Sequence, residues 1–118
     1  MKSAEPYLRH ILDEVSFLSR VVETHGIEAI ESDDTLERAV VRSLEIIGEA
    51  ARNIPEDYRE KHPLIPWRKI VGLRNRLIHE YFAVDFDILK GILADEISEL
   101  RATVVQALDE FNTEQSGS

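Results

Sequence analysis

A chain of 118 residues has room for one hydrophobic core and not for two. Apolar residues at 43% and charged residues at 31% are the balance of a folded globular domain, and no apolar run reaches the ~18–20 residues needed to cross a bilayer. The lack of cysteine excludes a disulfide framework and thiolate metal sites, and a formal charge of −9 argues against strong, indiscriminate binding of nucleic acid.

The N-terminal MKSAEPYLRH is polar and lacks the apolar stretch of a signal peptide, so a cytoplasmic protein with no membrane partner is expected. Leu8, Ile11, Leu12, Val15, Leu18 and Val22 recur at steps of three and four, which predicts an amphipathic helix over roughly 5–24. His25-Gly26 supplies its stop. Ser32 to Asp34 offer N-caps for a second helix, with Glu37 completing a capping box if Asp34 is the cap. That helix carries Leu36, Val40, Ser43, Leu44, Ile47, Ala50, Ala51 and Ile54 and ends near Pro55. Gly48 inside it costs about 1 kcal/mol against alanine, which points to close helix packing.

The next stretch, PEDYREKHPLIPW, holds three of the four prolines and is predicted to be mainly loop. Pro66 suits the first turn of a third helix, Trp67 to about His79, with Trp67 as a core or interface anchor. A fourth helix is predicted from near Asp85 or Asp87 to Phe111, its apolar side formed by Ile88, Ile92, Ile97, Leu100, Val104, Ala107, Leu108 and Phe111. NTEQSGS reads as a frayed tail. The expected architecture is a single domain spanning 1–118, an all-α up-and-down bundle of four main helices with its core over about 5–111 and a flexible end at 112–118.

The charge is unevenly spread. Between Arg52 and Arg76 stand Arg52, Arg59, Lys61, Arg68, Lys69, Arg74 and Arg76 against Glu56, Asp57 and Glu60, a local +4 that leaves −13 on the rest. Such a strip can touch a few phosphates, although basic side chains on a solvated helix face would look the same.

Inside the strip lies RNRLIHEYF, residues 74–82. A histidine can take a proton from a ribose 2′-hydroxyl or give one to a leaving oxygen. An arginine can fork onto phosphate oxygens and hold the charge of the transition state, while Asn75 adds an uncharged donor and acceptor. No metal is required by that chemistry. Spacing alone decides little, because ten arginines and four histidines in this length give about 0.34 chance Arg-x4-His pairs. On one rigid helix Arg74 and His79 sit roughly 140° apart and ~7.5 Å along the axis, so a composite site across a two-fold axis is the favoured geometry. His10, His25 and His62 have no neighbouring ligand set and are expected to be solvated, and Glu49 is read as structural.

Arg74-Asn75-Arg76-Leu77-Ile78-His79-Glu80-Tyr81 resembles the Arg-x4-His-x-Tyr signature of HepT-type HEPN proteins, the toxin halves of HEPN–MNT (type VII) toxin–antitoxin systems. Ile46-Ile47-Gly48-Glu49-Ala50-Ala51, the run Ile65 to Arg74 and Phe82-Ala83-Val84-Asp85 resemble further stretches of that family in the same order. The resemblance implies a two-fold HEPN homodimer and a metal-independent endoribonuclease that needs no cofactor. Arg74 would bind the phosphate, His79 would be the acid/base, and Asn75 and Arg76 would orient the substrate phosphate. Tyr81 would accept AMP from the MNT nucleotidyltransferase antitoxin. The competing reading is a non-catalytic HEPN module that binds a nucleotidyltransferase and presents Tyr81 to it.

Overall fold

The computed structural model describes residues 3–63, 65–72 and 86–116, in part by backbone alone for 88 and 113–116. Among them every regular element is helical: α1 Glu5–His25, α2 Ile27–Ser32, α3 Asp34–Arg52, α4 Glu56–Lys61, α5 at 67–72, and α6 Phe86–Gly91. A π-helical turn, Ile92–Glu96, joins α6 to α7, Ile97–Ser116. The all-α architecture is the expected one. No described helix is long and apolar enough to cross a membrane.

α1 buries Leu8, Ile11, Val15, Leu18 and Val21, the stripe its periodicity predicts. It ends at Gly26, whose φ of 83° suits glycine, and the Gly26 N–H donates to the Val22 carbonyl at 2.9 Å. The chain then departs from expectation by making the short helix α2 before α3 begins. Because α2 runs through Ser32, the extended residue is Asp33, one position before Asp34. Asp33 Oδ1 accepts from the backbone N–H of Thr35 at 2.9 Å and of Leu36 at 3.2 Å. Glu37 therefore falls one residue past the capping-box position, and the cap works alone. Asp33→Ala should cost about 1 kcal/mol in urea unfolding and Asp33→Asn close to nothing, since the amide oxygen can still accept.

α3 buries Val40, Leu44, Ile47 and Ala51, and α1 packs against both α3 and α7. The core is completed by Ile54, Ile65, Trp67, Ile70, Leu89, Ile92, Leu93, Val104 and Leu108. Among the described residues Ser43 is the buried polar side chain, and its hydroxyl donates to the Glu14 carbonyl at 3.3 Å, tying α3 to α1. Gly48 is buried.

Two further expectations change. The proline-rich stretch contains α4, because Pro55 sits at the N-cap, where its missing N–H costs nothing. At the other end, helix α7 continues through Ser116, past the Asn112 at which fraying was expected.

Candidate nucleic-acid site

The segment that leads into the octet is held from below. Pro66 opens α5, and its carbonyl accepts from the Ile70 N–H at 3.0 Å. Trp67 is buried and donates from Nε1 to the His62 carbonyl at 3.0 Å, which satisfies the one polar atom of the indole. Ile65 and Ile70 are buried beside it, so α5 presents Arg68 and Lys69 outward.

An aromatic bracket closes over this start. Tyr58 stacks on His62 with ring centroids 4.2 Å apart and on Phe111 at 5.6 Å, and it meets the edge of Trp67 at 6.4 Å. His62 is thus half-buried instead of solvated, with Nδ1 4.0 Å from Glu110 Oε2. His10 and His25 are exposed, as expected. Among the described residues no group of three or more His, Asp or Glu is placed to hold a metal ion.

The basic strip resolves into different roles. Lys69 is ion-paired with Glu96 of the π turn and is largely neutralised. Arg52, Lys61 and Arg68 are exposed and Arg59 is half-buried. Between α4 and α5 runs an open groove of about 570 Å³, with Arg59 and Arg68 on its walls. Arg59 was legible only as one basic residue of the strip; its placement depends on α4, which the prolines concealed. Arg74, Asn75, Arg76, His79 and Tyr81 lie outside the described residues, which end at Gly72 and resume at Phe86.

The described residues are all-helical, and several basic side chains stand at the start of α5, which precedes the Arg-x4-His motif in the sequence. Comparison with known proteins gives the family. The family model described as "Ribonuclease HepT-like" matches residues 11–107. The chain is 48% identical over 108 residues to "Putative RNase TTE0752" of Caldanaerobacter subterraneus subsp. tengcongensis, covering 92% of this chain and 96% of that one. It is 37% identical to "Probable ribonuclease HepT" of Thermococcus cleftensis, over 85% of this chain and 91% of that one. It is 35% identical to "Putative RNase MJ1380" of Methanocaldococcus jannaschii, over 87% and 94%. No solved structure matches. The chain belongs to the HepT-like ribonuclease family.

Proposed function

We propose that this protein is a metal-independent endoribonuclease, the toxin of a HEPN–MNT pair, and that Arg74 and His79 do its chemistry. The observation that carries the reading is the position of RNRLIHEY inside the family match over 11–107, in a chain that nearly spans relatives named as ribonucleases.

In the proposed reaction the ribose 2′-oxygen attacks the adjacent phosphorus, a new O2′–P bond forms and the P–O5′ bond breaks. His79 takes the proton from the 2′-hydroxyl and passes one to the departing 5′-oxygen, and Arg74 holds the charge on the non-bridging oxygens. Asn75 and Arg76 orient the phosphate. The products are a 2′,3′-cyclic phosphate and a 5′-hydroxyl, with no change of oxidation state. Two protomers related by a two-fold axis would bring both Arg74–His79 pairs to one cleft, which answers the roughly 140° divergence of the two residues on a single helix.

Silencing is proposed at Tyr81. The tyrosyl oxygen attacks the α-phosphorus of ATP on the nucleotidyltransferase partner, pyrophosphate leaves, and the phenolic proton passes to a base on that partner. AMP beside the cleft adds negative charge and bulk, both of which exclude an RNA phosphate.

The test is cleavage of total cellular RNA by the purified protein in excess EDTA. Cleavage with 2′,3′-cyclic phosphate or its hydrolysed product and a 5′-hydroxyl at the new ends is expected. Activity that disappears with EDTA and returns with Mg²⁺ would contradict metal independence, and no cleavage of any RNA would leave the non-catalytic module as the better reading.

A further inference from the structure

The groove between α4 and α5 has a composition that the proposed chemistry does not use. Its walls are Glu56, Arg59 and Glu60 from α4 and Arg68 from α5, and its floor includes Trp67, Val71 and Gly72. The floor is partly apolar and shallow at Gly72, where a built Cβ would meet nothing within 4 Å. Among the described residues Arg9 is neutralised by Glu5 at 2.8 Å, Arg42 by Glu45 at 3.3 Å, and Lys69 by Glu96. Arg59 and Arg68 are not, although two carboxylates line the same groove, and neither makes an ion pair among the described residues. The Arg59 Nε–H is buried and also has no hydrogen-bond acceptor. A covered donor left without an acceptor is unfavourable, so an oxyanion that reaches this guanidinium would be stabilising.

Position along the chain says which oxyanion. Arg68 and Gly72 belong to the helix that the sequence predicts to continue to about His79. At that register, positions 68, 72, 75 and 79 fall within a band of about 60°, whereas 74 lies well outside it. The groove is then the upstream end of the face on which the sequence puts His79, with eleven residues, or roughly 16 Å of axial rise, between Arg68 and His79. At about 3.4 Å per stacked nucleotide that distance is about five nucleotides.

We propose that this groove is a second RNA subsite, in which Arg59 and Arg68 hold phosphates of the single strand on one side of the cleavage point. The inference rests on the ribonuclease reading above. Glu56 and Glu60 balance the two arginines, so the subsite positions a strand already bound at the motif and does not capture RNA alone. Arg59 and Arg68 are positioning residues: they set where the strand lies, and the bond is broken elsewhere.

The experiment measures anisotropy of a labelled ten-nucleotide RNA, 2′-O-methylated so that it cannot be cleaved, across a series of salt concentrations. Arg68→Ala and Arg59→Gln should each weaken binding roughly fivefold at low salt and lower the salt slope by about 0.7. Glu60→Gln should tighten binding. Arg38→Ala, an exposed arginine of α3 away from the groove, serves as the charge control and should match wild type. Arg68 is exposed, so its variant carries the test if the half-buried Arg59 proves needed for folding. Unchanged slopes in the groove variants, with wild type still binding and cutting RNA, overturn the subsite and leave the ribonuclease reading in place. Wild type that neither binds nor cuts any RNA overturns both.

Discussion

His79→Ala is expected to lower RNA turnover by about 10²–10⁴-fold, the usual contribution of a positioned acid/base, with the helical circular dichroism and unfolding midpoint close to wild type. Arg74→Ala should be similarly inactive, and Arg74→Lys only partly restored, because an ammonium lacks the planar fork that spans two phosphate oxygens. Mixing the two inactive proteins separates a private site from a shared one. If a site takes its arginine from one protomer and its histidine from the other, half of the randomly mixed dimers hold one intact site of two. About a quarter of wild-type activity should then return on mixing. No recovery, from proteins shown to exchange subunits, would place both residues of a site in one chain.

Tyr81→Phe should separate catalysis from silencing completely. The substitution removes one hydroxyl and keeps the ring, so packing changes little beyond any hydrogen bond the hydroxyl makes. The variant should cut RNA at close to the wild-type rate. With the nucleotidyltransferase and ATP, the intact mass of wild type should rise by one or more AMP units and its activity should fall, while the variant changes in neither respect. A Tyr81→Phe protein as inactive as His79→Ala would make the phenol part of the cleavage machinery. Continued modification and silencing of the variant would mean that the acceptor is another residue.

The long helices were legible because their buried faces repeat at helical spacing: α1 follows the Leu8 to Val22 stripe, and α3 follows Leu36 to Ala51 but ends at Arg52, short of the Ile54 assigned to it. The two short helices were hidden for opposite reasons. α2 follows immediately on Gly26, where a stop signal is most easily read as the start of a loop. α4 sits between prolines that mark an interruption in general, although Pro55 is harmless at a cap.

The π turn was invisible for a subtler reason. Leu89, Leu93 and Ile97 are buried at two successive steps of four, a spacing that reads as plain α-helix. On an ideal helix those steps rotate the stripe by about 80°, and a wider turn takes up that drift so that all three still face the core. As for the site, the Arg-x4-His-x-Tyr signature was legible through its resemblance to a family, since its spacing alone decides little. The groove was not, since part of its lining comes from α4, which the prolines concealed.

The Tyr58–Phe111 stack bears on how the molecule is made. Its two rings come from opposite sides of the motif in the sequence, one before residue 74 and one after residue 81. During synthesis the chain emerges from its N-terminus, so the motif leaves the ribosome ahead of Phe111, which closes over Tyr58 and Trp67 only after it has emerged in turn. The aromatic bracket around the start of α5 is among the last pieces of this fold to form. A nascent chain therefore exposes residues 74–81, the proposed cleavage residues among them, on an unfinished support next to the most abundant RNA in the cell.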